Sequence, residues 1–95
     1  PKILFLIAEN ENEPIGVIRF NISQNIASLS IYKVPNSRKS FGLIKKSSNW
    51  LFKKHPSIKG IKAYILKKNE VSYNAFYSAG YRPFKSTMYL DKNWK

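Results

Sequence analysis

The chain has 95 residues and a formal net charge of +12, which allows one domain with a single modest core and favours anionic partners. Hydrophobic residues make up 43% and aromatic residues 15%, which excludes wholesale disorder, and the absence of cysteine excludes disulfides, thiolate catalysis and cysteine-based zinc sites. The one histidine, His55, cannot build a metal site by itself, and no apolar run approaches the roughly 20 residues of a membrane span, so we expect a cytoplasmic protein without a metal.

Three strands are predicted in the first third of the chain. Residues 3–8 are a continuous apolar run of strand length, and residues 15–22 are rich in Ile, Val and Phe. In residues 26–34 apolar side chains alternate with small polar ones, which is the period of a half-buried strand. The polar turns between these runs are short, so the three strands are predicted to form an antiparallel meander.

The hydrophobic period becomes helical after the third strand. Ser37 is a suitable N-cap, and the helix is predicted from Arg38 to Lys54 or His55, before the next proline. Residues 58–66 alternate again and predict a fourth strand. Because this strand follows a helix, it should lie parallel to the strand before that helix.

A second helix and a last strand complete the predicted order. The helix covers residues 70–79, with Val71 and Ala75 on one stripe and Gly80 as the glycine that ends it. Residues 82–90 predict the last strand. The order β-β-β-α-β-α-β indicates an α/β fold with a mixed sheet, antiparallel at first and with one parallel crossover.

Three stretches in this order resemble the GNAT acetyltransferase superfamily. PIGVIRF, at residues 14–20, resembles the family's strand x-I-G-x-I-x-F. LSIYKVP, at residues 29–35, and RKSFG, at residues 38–42, resemble its strand and acetyl-CoA loop. The closing motif of the family is similar to NEVS, at residues 69–72, followed by Phe76, Gly80 and Tyr81. The resemblance runs from the family's second strand onward and implies a single GNAT-like domain over residues 1–95, without the family's N-terminal strand and helices.

The resemblance implies an N-acetyltransferase that uses acetyl-CoA as co-substrate and moves its acetyl group to a primary amine. A helix N-terminus suits a pyrophosphate because it presents unpaired N–H groups and a partial positive charge, and Gly42 lets the backbone approach a ligand closely. The cofactor-binding residues that the resemblance implies are Tyr32, Val34, Arg38, Lys39, Ser40, Phe41, Gly42, Asn69, Ser72 and Phe76.

Two positions depart from the family's pattern. The family loop usually reads R-G-x-G-x-G, of which at most Arg38 and Gly42 are present here. The family's tyrosine, which protonates the leaving thiolate, corresponds to Phe76, whose phenyl ring has no proton to give. We therefore interpret Phe76 as a core aromatic and leave the catalytic acid and base unassigned.

Several partners fit the charge pattern. Residues 33–68 hold eleven Lys or Arg and no Asp or Glu, and the wording GVIRF…SIY is most similar to bacterial family members that acetylate amino-sugar nucleotides. A diphosphate-bearing acceptor would suit this basic block, and protein or peptide amines are other candidates. The alternative function is a non-catalytic module that binds RNA or an acidic protein surface through its charge.

The first strand raises a question of completeness. The family places another strand and two helices before the segment that corresponds to residues 3–8. Without them this apolar strand would have an open edge, and open edges recruit other chains. We therefore expect a homodimer, a partner or an upstream segment to cover it. A further possibility is that the chain is the C-terminal half of a longer enzyme, folded alone or completed by a partner chain.

Overall fold

The computed structural model describes residues 2–10, 13–33, 42–65 and 70–94. Within these ranges six strands form one sheet with two helices. The strands are β1 (Lys2–Asn10), β2 (Glu13–Ser23), β3 (Ile26–Lys33), β4 (Gly60–Ala63), β5 (Arg82–Phe84) and β6 (Thr87–Asp91), and the helices are α1 (Leu43–Lys54) and α2 (Glu70–Ser78).

The sheet order is β1-β2-β3-β4-β6-β5. The first three strands pair antiparallel, β3 and β4 pair parallel, and β6 pairs antiparallel with both β4 and β5. The predicted meander and the parallel crossover are both confirmed. The mixed α/β class is confirmed with them.

The last predicted strand, residues 82–90, is instead a hairpin of β5 and β6. The chain reverses at Lys85, which has a left-handed φ of 56°, and the Thr87 hydroxyl donates a hydrogen bond of 2.8 Å to the Phe84 carbonyl. The prediction of one strand missed the turn because Lys85-Ser86 carries none of the Gly, Asn or Asp residues that usually mark a left-handed turn position.

Helix α1 begins later than predicted. Its N-cap is Gly42, with φ 75°, and its first helical hydrogen bond runs from the Lys46 N–H to the Gly42 carbonyl at 2.8 Å. Because a left-handed residue cannot lie inside a right-handed helix, the predicted N-cap at Ser37 is wrong, and residues 34–41 lie outside the described ranges. The helix ends at Lys54, as predicted.

The core lies between the helices and one face of the sheet. Residues that pair directly across strands share a face, so the pairs Ile18↔Ile31 and Phe20↔Leu29 point to the same side. The buried cluster joins this side to Ile44 and Leu51 of α1 and to Phe76 of α2. Burial of this one continuous apolar surface holds the helices on the sheet.

The end of α2 is closed by backbone bonds and by packing. Gly80 has φ 103°, and its N–H donates to the Tyr77 carbonyl at 3.0 Å, while the Tyr81 N–H donates to the Phe76 carbonyl at 3.0 Å. This pair of bonds is the Schellman motif, so the predicted role of Gly80 is confirmed. The rings of Phe76 and Tyr81 pack edge to face at 5.1 Å.

Candidate functional site

Strands β3 and β4 diverge toward their carboxyl ends. Their parallel pairing ends at Leu29↔Ala63, whereas β3 stays paired with β2 as far as Lys33. Within the described part of the chain, residues 30–33 therefore have no strand partner on the β4 side. Unpaired backbone groups beside an opening suit an extended ligand that carries amides, and ligands of α/β sheets commonly bind outside the carboxyl ends of the strands.

Helix α1 begins beside this opening with an excess of positive charge. Its N-cap is Gly42, which makes no side-chain cap, and the first turn holds no acidic residue. Lys45 and Lys46 are exposed there, although cations near a helix N-terminus are unfavourable. A bound anion would offset this clustered positive charge.

Two adjoining cavities lie between the starts of the two helices. They share the lining residues Ile44, Val71 and Ala75, and the two cavities together are called the cleft. The smaller cavity, of about 260 Å³, is also lined by Ile31, Leu43, Ser72 and Phe76. The larger cavity, of about 400 Å³, is also lined by Gly42, Lys45, Asn74, Ser78 and Ala79. The volume of the larger cavity is typical of a small-molecule site, and most of the residues that line the cleft are apolar.

The structure brings three of the predicted site residues to this cleft: Gly42, Ser72 and Phe76. Tyr32 points to the other face of the sheet, because it alternates with Ile31, and its side chain is exposed. Only its backbone can face the opening between β3 and β4. The remaining predicted residues lie outside the described ranges, and they are Val34, Arg38, Lys39, Ser40, Phe41 and Asn69.

Phe76 joins the cleft to the core. Its side chain is buried, packs against Tyr81 and forms part of the wall of the smaller cavity. The Tyr81 hydroxyl in turn lies 2.7 Å from the Ser48 hydroxyl. Burial raises the pKa of Tyr81 well above its ordinary value, and the hydrogen bond with Ser48 lowers it by less, so this phenol keeps its proton.

Sequence reasoning missed several lining residues. Val71 and Ala75 were predicted to share a stripe of α2, and both are exposed and line the cleft, while Phe76 is the buried residue of α2. Helical spacing shows which residues share a face and does not show what that face meets. Ile31 carried a clearer signal, since it alternates with Tyr32 at the end of the strand that the resemblance had singled out.

The other chemistry-bearing residues lie elsewhere. His55 caps the end of α1 and packs edge to face against Trp50 at 6.2 Å. Over the described ranges, no three residues of the types His, Cys, Asp and Glu come together as a metal-binding group. Neither described helix combines the length and the apolar character needed to cross a membrane.

Solved structures share this architecture. The N-acetyltransferase PseH of Campylobacter jejuni matches with a TM-score of 0.77 at 18% identity, over 96% of this chain and 69% of PseH. A chimera of the spermidine N-acetyltransferase SpeG of Vibrio cholerae and hSSAT matches with a TM-score of 0.80 at 15% identity, over 94% of this chain and 66% of the chimera. The aminoglycoside acetyltransferase AAC(6')-Ib, in complex with coenzyme A and kanamycin, matches with a TM-score of 0.79 at 14% identity, over 95% of this chain and 67% of that enzyme.

These similarities establish the fold. No protein-family model matches the sequence, and no curated protein matches it at a significant level. The chain spans about two thirds of the length of the acetyltransferases that it resembles. It has a GNAT-like fold.

Proposed function

We propose that this chain is a GNAT-type N-acetyltransferase that binds acetyl-CoA in the opening between β3 and β4. The observation that carries the proposal is the divergence of these strands beside the cleft, next to the start of α1 at Gly42. PseH has been solved in complex with acetyl coenzyme A, and AAC(6')-Ib in complex with coenzyme A. Both share the fold of this chain, which supports the same ligand here.

Each part of the site has a proposed role. The backbone of β3 from Tyr32 to Val34 pairs with the amides of the pantetheine arm. Backbone N–H groups of residues 39–42 hold the pyrophosphate, with Arg38 adding charge. Asn69 and Ser72 lie beside the arm. Apolar lining residues of the cleft, among them Ile31 and Phe76, exclude water from it.

The chemistry we propose is direct attack. The neutral nitrogen of a primary amine bonds to the thioester carbonyl carbon, the carbon–sulfur bond breaks, and the amine proton leaves as the thiolate is protonated. Among the described residues that line the two cavities there is no Asp, Glu or His. Their proposed contribution is to hold and orient the reactants.

The acceptor we propose is an amino-sugar nucleotide. SpeG acts on spermidine and AAC(6')-Ib on aminoglycosides, which are polycations. A chain of net charge +12 repels polycations and attracts a diphosphate.

Calorimetric titration with acetyl-CoA, beside an RNA oligomer at two salt concentrations, tests the proposal. We expect saturable binding of acetyl-CoA at both salts. Absence of acetyl-CoA binding together with tight, steeply salt-dependent RNA binding would replace the enzyme with the basic binding module. Turnover with a uridine-diphosphate amino sugar, compared with spermidine, then tests the acceptor, and faster turnover of spermidine would reject the anionic one.

A further inference from the structure

Helix α2 carries a row of flat side chains on its exposed surface. Tyr73 and Tyr77 lie one turn apart, with their ring centroids separated by 6.3 Å and their planes 21° from parallel. The guanidinium of Arg82 lies over the Tyr77 ring, 3.9 Å from its centroid. All three side chains are exposed, and together they are called the tyrosine stripe.

The stripe is held rigid at its Arg82 end. The Arg82 Nη1 donates hydrogen bonds to the Tyr77 carbonyl at 3.0 Å and to the Tyr81 carbonyl at 2.7 Å. Because these bonds and the Tyr77 ring already fix the guanidinium, it loses little conformational freedom when a partner binds. Tyr and Arg side chains dominate the binding energy of protein–protein interfaces, so a rigid row of them favours a protein partner.

The charge of α2 selects the kind of partner. Helix α1 carries four lysines, whereas α2 carries none, and its one charged residue is Glu70. Interfaces are depleted of lysine and enriched in Tyr and Arg. An acidic protein would be drawn to residues 33–68, which hold eleven Lys or Arg and no acid, and would be repelled by Glu70. The stripe is therefore a surface at which two strongly basic chains of this kind can approach each other.

The stripe is complementary to itself when two copies of α2 run antiparallel. Tyr73 and Tyr77 lie on either side of position 75. Glu70 lies about 7 Å from that level toward the start of the helix, at 1.5 Å per residue. Arg82 lies on the other side, at the carboxyl end of the helix, where it bonds to the last carbonyls. A two-fold axis at the level of Ala75 then places Tyr73 against Tyr77 of the second copy, with an acid near a base at each end.

We propose that two copies of this chain associate through the tyrosine stripe, with their α2 helices antiparallel. The tyrosine rings are buried between the two helices, and Glu70 of each copy pairs with Arg82 of the other. The antiparallel arrangement also brings the positive end of each helix dipole near the negative end of the other. Each of these contacts occurs twice, once on each side of the axis.

The cleft stays open in this dimer. Val71 and Ala75, which line the cleft, lie about 120–160° around the helix from Tyr77. The cleft and the tyrosine stripe therefore occupy different sides of α2. Association does not depend on acetyl-CoA binding, so either proposal can fail while the other holds.

The first experiment measures association by sedimentation velocity from low to high micromolar concentration. We expect a concentration-dependent dimer whose dissociation constant rises at least about tenfold in Tyr73→Ala. The matched control is Tyr64→Ala, which removes a tyrosine that is 70% exposed and lies outside the stripe. It should leave the constant unchanged. A monomer throughout the range, or a dimer that Tyr73→Ala does not weaken, would overturn the proposal, whether or not the chain binds acetyl-CoA.

The second experiment exchanges the charges to test the antiparallel register. Glu70→Arg places two positive charges together at each end of the dimer, and it should raise the dissociation constant at least about fivefold. Arg82→Glu should do the same with negative charges. In an equal mixture of the two variants, each end of the mixed dimer again joins an arginine to a glutamate, so association should return. A mixture of folded variants that does not associate would reject the register. If Arg82→Glu does not fold, Glu70→Arg decides alone, since unchanged association of that variant would also reject it.

Discussion

The end of α2 and the start of α1 both depend on a left-handed glycine, but their surroundings differ. At the end of α2, Gly80 turns the chain so that Tyr81 packs into the core. At the start of α1, Gly42 is exposed, and among the described residues a Cβ placed there would meet only the end of the Lys46 side chain, at 3.9 Å. The same backbone conformation closes a packed corner in one place and begins a helix at an exposed position in the other. What a special backbone position does is therefore decided by what surrounds it.

The largest effect should come from breaking the closed end. Tyr81→Ala should lower the free energy of unfolding by about 3–5 kcal/mol, because it removes a fully buried ring that packs on Phe76. Urea denaturation measures the change. Tyr64→Ala, at an exposed position, should cost less than about 0.5 kcal/mol. Equal losses in both variants would contradict the assignment of Tyr81 to the packed core at the end of α2.

Two single variants, in which either Gly42 or Gly80 is changed to asparagine, compare the two helix ends directly. Asparagine tolerates a left-handed backbone, so both variants should fold. Gly42→Asn adds a side chain where we propose that the pyrophosphate approaches, and it should weaken acetyl-CoA binding about tenfold, or about 1.4 kcal/mol. Gly80→Asn should leave the affinity unchanged. Equal affinity of the two folded variants, measured by titration calorimetry, would remove the start of α1 from the proposed site.

Phe76 lies between the two ends, so its substitution probes both. Phe76→Leu should lower the free energy of unfolding by about 1 kcal/mol through lost packing against Tyr81. Phe76→Tyr tests the position of the family's acid. If that variant keeps its stability and gains strong acetyltransferase activity, the position is that of a proton donor which is vacant in this chain. Thermal unfolding and a turnover assay on the same preparations separate the two effects.

The smallest effect concerns pH. Because burial raises the pKa of Tyr81, the folded protein holds the phenol proton more tightly than the unfolded chain does. The contribution of this phenol to the free energy of unfolding is therefore fully present below the unfolded pKa of about 10. By pH 10.5 the free energy of unfolding should have fallen by about 0.8 kcal/mol on account of this group. Burial also raises the pKa of Tyr89, so the comparison is with Tyr81→Phe, which should lose less stability over the same range. If the free energy of unfolding fell equally with pH in the two proteins, the prediction would be contradicted.

Local patterns predicted most of the elements. Alternation placed the first three strands, helical spacing placed the end of α1 at Lys54, and Gly80 marked the end of α2. The errors lie where the local signal was weak or ambiguous. Lys85 adopts a left-handed turn without a typical turn residue, and Gly42 rather than Ser37 precedes α1.

The sequence by itself determined which segments form strands and helices, because periodicity and turn chemistry depend on residues close in the chain. It also determined the uneven distribution of charge along the chain. Only the tertiary structure decided where β3 stops pairing with β4, which side of α2 faces the cleft, and that Phe76 packs with Tyr81 and, through it, Ser48. Each of these depends on side chains and strands that are distant in sequence, and their positions are settled only when the whole core packs.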